Sequence, residues 1–159
     1  MFNKILLATD GSNDSFYAAE RTVELAQANS KVEVHVIHVA DHAKAKTSAL
    51  QYWNSSTKLK RIEKVKPIIE LLQKHEIPYQ FHYLQGDPGP EIVKFANNHH
   101  FDLVMIGSKG KNKLQELVLG SVSHKVAKRV QSPVMIVKSN AKQRTTNPVP
   151  FPESQSATK

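Results

Sequence analysis

Four residues set a pattern with chemical meaning: Gly107, Gly110, Gly120 and Ser121, spaced as G-x-x-G-x(9)-G-S. Glycine lets a backbone approach a ligand closely and adopt positive φ. The first pair follows a short apolar run, residues 103–106, which reads as a buried strand. The second pair opens a helical pattern in which Val122, Val126 and Val130 share one face. A helix start offers unpaired N–H groups and a partial positive charge. One turn leaving a strand and one entering a helix therefore make a site for an anion, most often a phosphate. The hydroxyls of Ser121 and Ser123 would add donors there, and Lys109 a charge.

Other chemistries find less support. A chain with no cysteine has no thiol nucleophile and no thiolate metal site. His35 and His38 fall at odd spacing in one strand and point to opposite faces. His99 and His100 precede a strand, His124 lies on the last helix, and no carboxylate stands at ligand spacing with any of these histidines. No metal ligand is expected from the protein. Ser121 has His124 nearby, but no third group orients that imidazole, so no catalytic residue is assigned. The first turn, TDGSNDS, lacks G-x-G-x-x-G, which argues against a dinucleotide, and a Walker loop is absent.

The elements that must position the glycine turns alternate along the chain. Residues 3–8 read as a buried strand, followed by a turn at 9–12 in which Ser12, Asn13 or Asp14 caps a helix ending near residues 29–30. Residues 32–39 form a β-branched strand. Residues 40–56 lack a clear period, with a short helix expected around 48–53; Trp53 covers the core or a ligand, or sits in a dimer contact. Leu59, Ile62, Val65, Ile69 and Leu72 then give a long amphipathic helix, which Pro67 should kink or break near Lys66. Residues 79–84 alternate as a strand, residues 86–90 read as a turn, and Pro90 suits the first turn of a helix that continues through Ile92, Val93, Phe95 and Ala96. The last strand is 134–137. Such alternation implies an α/β fold, an open parallel sheet with helices on both faces.

The chain of 159 residues is read as one domain over 1–139, followed by a polar, proline-rich tail at 140–159 expected to be disordered. No stretch has the length of a membrane span or the flanks of a signal peptide, so a soluble cytoplasmic protein without membrane partners is expected. The net charge of +8 raises nucleic acid as a partner. The cations are dispersed, though: Lys58, Lys60, Arg61, Lys64 and Lys66 in one helical segment, and Lys109, Lys111 and Lys113 in one loop, without aromatic interleaving for base stacking. That argues against a nucleic-acid module.

Taken together, Gly107, Gly110, Gly120 and Ser121, the flanking LGSVS and SPVMIV, the N-terminal ILLATDGS, His38-Val39 and Gly86-Asp87-Pro88 make the chain resemble the universal stress protein family, in its ATP-binding subgroup. The resemblance covers roughly residues 2–138. It implies a five-stranded sheet of order 3-2-1-4-5, Rossmann-like or adenine nucleotide alpha hydrolase-like. With that order the sheet reverses between strands 1 and 4, and ligands sit at such a reversal. Thr9 and Asp10 would then face Gly107 to Gly110. Asp10 either forms the turn or accepts from ribose or adenine. The resemblance implies the latter, with backbone groups of Ala8, Thr9 and Val39, and implies that Gly107, Lys109, Gly110, Gly120, Ser121, Val122 and Ser123 line the ribose and phosphates. It further implies ATP as ligand, with Mg2+ or Mn2+ brought by the nucleotide, and a homodimer pairing through Val134, Met135, Ile136 and Val137. The expected function is nucleotide-dependent regulation in a stress response. The alternatives are a weak ATPase or phosphotransferase and a basic nucleic-acid-associated module.

Overall fold

The computed structural model describes residues 1–41, 62–109 and 119–138. Nine elements alternate through them: β1 (Lys4–Ala8), α1 (Asn13–Ala28), β2 (Glu33–Asp41), α2 (Lys66–Lys74), β3 (Tyr79–Gly86), α3 (Pro88–Asn98), β4 (Leu103–Gly107), α4 (Ser121–Arg129) and β5 (Val134–Val137). The five strands are parallel and run in the order β3-β2-β1-β4-β5. This is the open Rossmann-like sheet that the resemblance implies.

The central strands β1 and β4 are almost wholly apolar because both of their faces are covered. Successive side chains point to opposite faces, so β1 gives Ile5 and Leu7 to one core and Leu6 and Ala8 to the other. The first core joins them to Val34, Val36, Leu103 and Met105 under Ala18, Ala19 and Val23 of α1 and Ile68 and Leu72 of α2. The second sets Ile37, Val39, Val104 and Ile106 under Ile92 and Ala96 of α3 and Val126 of α4. Ile5, Leu6 and Leu7 have no exposed surface. Full burial of one such side chain contributes about 1.5–3 kcal/mol.

One element begins elsewhere than the local pattern suggests, and the break expected near Lys66 is present. Residues 86–90 are not all turn: α3 starts at Pro88, with Asp87 as its N-cap. Proline lacks the N–H that a first-turn position would leave unpaired, so Pro88 and Pro90 both fit the helix start. The helix pattern around Pro67 is interrupted at Lys64 and Val65, and α2 begins beyond it with Pro67 in its first turn. The apolar spacing runs on across that break because Val65 and Ile68 are both buried in the same core. The short helix expected around 48–53, Trp53, and the tail lie outside the described residues.

Candidate functional site

The site is built where the strand order reverses. β1 pairs with β2 on one side and β4 on the other, with Ala8 opposite Ile37 and Ile106. Their carboxyl ends therefore deliver residues 9–12 and 107–109 to one place. Ser12 caps α1, its hydroxyl accepting from the Ser15 N–H at 3.3 Å. Asp10 accepts from the Ser12 N–H at 2.9 Å through Oδ1, which fixes an Asx turn. Thr9 is buried, and its groups hold the loop: its N–H donates to the Ile37 carbonyl, its Oγ1 accepts from the Gly11 N–H at 3.2 Å, and its carbonyl lies 2.8 Å from His38 Nδ1.

Three contacts fasten the loop after β1 and the first turn of α1 to the loop after β4. Asp14 Oδ2 accepts from the Ser108 hydroxyl at 2.5 Å and from the Lys109 N–H at 3.0 Å. The Ser12 hydroxyl reaches the Lys109 carbonyl at 3.4 Å. Gly107 permits the approach. A Cβ there would stand 2.6 Å from the Asp14 carbonyl carbon and 2.7 Å from the Ser15 nitrogen.

The other wall is the start of α4. Gly120 is its N-cap and brings no side-chain oxygen, and no side chain caps this helix among the described residues. The Gly120 N–H donates to the Ser108 carbonyl at 2.9 Å, so the helix start is hinged directly to the loop after β4. Ser121, the first helical residue, is exposed, whereas Val122 is half-buried against the second core. Ser123 is buried, and its hydroxyl lies 2.9 Å from the Ser108 carbonyl and 3.0 Å from that of Gly120. With one hydrogen to donate, it holds the turn from within.

The structure thus brings Ala8, Thr9, Asp10, Gly107, Lys109, Gly120, Ser121 and Ser123 to one end of the sheet. Val39 sits on the adjacent strand, on the Ala8 face. Gly110 lies outside the described residues. Val134, Met135, Ile136 and Val137 form the last strand in the sheet order, with Met135 39 % exposed. The sequence pattern does not single out the Asp14 carboxylate as a link between the loops. Asp14 stands out there only as one of three residues able to cap a helix, and the capping residue is Ser12. His35 and His38 do face opposite sides of β2. Both are buried, His35 between Glu33 and His82, and His38 against Thr9.

Comparison with known proteins agrees with this architecture. The model of the universal stress protein family matches residues 1–138. Universal stress protein YxiE of Bacillus subtilis is 34 % identical over 152 residues, covering 87 % of this chain and all of YxiE. The solved structure of MJ0577, a universal stress protein of Methanocaldococcus jannaschii, superposes with a TM-score of 0.74 at 30 % identity and covers 89 % of this chain and 99 % of its own. An Arabidopsis thaliana member solved with AMP bound shares the fold, with a TM-score of 0.62 at 18 % identity over 87 % of this chain and 93 % of its own.

Proposed function

The chain belongs to the universal stress protein family, and from that premise we propose that it binds an adenine nucleotide, ATP foremost, and acts through that occupancy rather than through catalysis. The observation that carries this reading is the hinge between Gly120 and Ser108, a helix start without a side-chain cap set against the end of β4. Among the described residues no side chain caps α4, so its first N–H groups and their partial positive charge suit a phosphate. Gly107, Lys109, Gly110, Gly120, Ser121, Val122 and Ser123 make the ribose and phosphate side of this reading. Ala8, Thr9, Asp10 and Val39 make the nucleoside side. The AMP bound by the Arabidopsis protein fits the same class of ligand.

A divalent cation, Mg2+ or Mn2+, would arrive with the phosphates and take most of its ligands from them and from water. Among the described residues no group of three or more His, Cys, Asp or Glu could hold a metal ion, and the reading asks none of the protein. The homodimer through Val134, Met135, Ile136 and Val137 belongs to the same proposal. An edge strand with unpaired N–H and C=O groups accepts a second strand. The single domain over 1–139, a cytoplasmic location and a regulatory role in stress belong to the proposal as well.

Isothermal titration with ATP tests the reading directly. Binding in wild type that is lost in Gly120→Val supports it. Absence of heat, with no thermal shift on adding ATP, overturns it.

A further inference from the structure

His38 is a buried imidazole in the second half of β2, one residue before Val39, and its Nδ1 lies 2.8 Å from the Thr9 carbonyl oxygen. The peptide groups along β1 alternate in direction. The Asn3 carbonyl accepts from Glu33 at the head of β2, and the Lys4 carbonyl accepts from Asp102 just before β4. Thr9 repeats the Asn3 direction: its N–H donates to the Ile37 carbonyl and its own carbonyl meets His38, both on β2. Across a trans peptide the carbonyl and the next N–H point opposite ways. The Asp10 N–H is therefore aimed away from β2, toward the β4 side, where the strand order reverses. Asp10 is half-buried, and its carboxylate is engaged by the Ser12 N–H. Among the described residues its own N–H meets no acceptor.

We infer that His38 is a positioning residue for the ligand: by holding the Thr9 carbonyl it aims the Asp10 N–H into the crevice between β1 and β4, as a donor to the nucleoside part of an adenine nucleotide. This rests on the nucleotide reading of the site. Three of the bonds at Thr9 bear on the loop: its N–H to Ile37, its Oγ1 from the Gly11 N–H, and its carbonyl from His38. The last grips the peptide that joins Thr9 to Asp10. Without it that peptide can rotate, and the Asp10 N–H loses its aim even while the Asx turn with Ser12 persists. The imidazole is itself confined, being buried with the Tyr83 ring 5.9 Å away between centroids. The donor is thus set before the ligand arrives, and a preorganised donor needs no ordering on binding.

Substitutions at this one position separate aiming the ligand's donor from supporting the fold. His38→Leu and His38→Met fill the space without an N–H donor, and methionine, unbranched and pliant, carries the test should the leucine variant not fold. His38→Asn places an amide nitrogen the same number of bonds from the backbone as Nδ1, and that nitrogen can donate to the Thr9 carbonyl. Affinities for AMP, ADP and ATP are measured by titration calorimetry with excess Mg2+, well below the unfolding midpoint of each variant. Leucine and methionine should weaken all three nucleotides by one common factor of about fivefold to tenfold, the worth of one hydrogen bond to the part they share. Asparagine should recover most of that factor even where its unfolding midpoint stays below that of wild type. Wild-type affinities in the leucine and methionine variants would make His38 a support of the fold alone and overturn the claim. So would a loss that grows with phosphate number, or one that asparagine leaves in place. If wild type binds none of the three, the nucleotide reading falls first and takes this claim with it.

Discussion

His38 Nδ1 lies 2.8 Å from the Thr9 carbonyl oxygen, a buried bond from β2 to the residue that follows β1. A carbonyl only accepts, so Nδ1 carries the proton. The bond fixes the last peptide before Asp10, at the point where β1 turns into the site. His38→Leu keeps the bulk and removes the donor, leaving a buried carbonyl short of its partner. The expected loss is about 1–3 kcal/mol of stability, read from urea unfolding. A midpoint unchanged from wild type would show that the bond holds nothing.

Gly107→Ala should destabilise the fold through one methyl group. Its Cβ would meet the Asp14 carbonyl carbon and Ser15 nitrogen, which are backbone atoms and cannot rotate away. Either β4 or the start of α1 must shift. Overpacking of this kind costs about 1–3 kcal/mol. The shift also parts Asp14 from Ser108 and Lys109, so the stability loss should come with weaker nucleotide binding. A variant as stable as wild type would mean that the close approach is dispensable.

Gly120→Val should act on the ligand more than on the fold. A Cβ there would lie 3.2 Å from the Ser108 carbonyl oxygen and 3.4 Å from the Ser123 hydroxyl, and valine adds two further methyls to that already close contact at the helix start. We expect ATP affinity to fall at least tenfold while the circular dichroism spectrum stays that of wild type. Retained affinity would move the phosphates away from α4.

Local pattern carries much of this architecture. Residues 103–106 announce a strand because a parallel strand buried on both faces must be an unbroken apolar run, and residues 134–137 form a similar run although they make the half-exposed edge of the sheet. Residues 79–84 alternate, and β3 includes all six of them. The strand order is a different matter. Nothing in residues 4–8 says that they pair with 103–107, and that order came from likeness to a family. The same limit hides the Asp14–Ser108 bond, whose partners are 94 positions apart. Proline punctuation misleads in one place: Pro90 marks the first turn of α3 as its pattern suggests, but Pro88 looks like part of the turn before it and is the residue that opens the helix. Proline interrupts a helix in its interior yet suits its first turn, and only the true start distinguishes the two.

A pH dependence follows from the far end of the sheet. His82 Nε2 lies 2.8 Å from His35 Nδ1, and His35 Nε2 lies 2.9 Å from Glu33 Oε1. The carboxylate accepts, so a neutral His35 carries its proton on Nε2 and must accept from His82. The pair takes one further proton without losing a bond; a second would set N–H against N–H. Burial lowers the His82 pKa below 6.5, and His35, His99 and Lys4 add repulsion in the same direction. Phe95 and Gln80 complete the surroundings, with the Phe95 ring 4.7 Å from that of His82 and Gln80 donating to Glu33. The unfolded chain then binds more protons than the folded one between the lowered value and 6.5, so stability rises with pH across that window. The contribution is fully present above pH 6.5 and is lost as pH falls through the window. Urea midpoints of wild type should therefore drop between pH 7 and pH 5.5. In His82→Gln, which keeps a donor for His35 without titrating, the drop should be smaller. Equal slopes in the two proteins would place the acid sensitivity elsewhere.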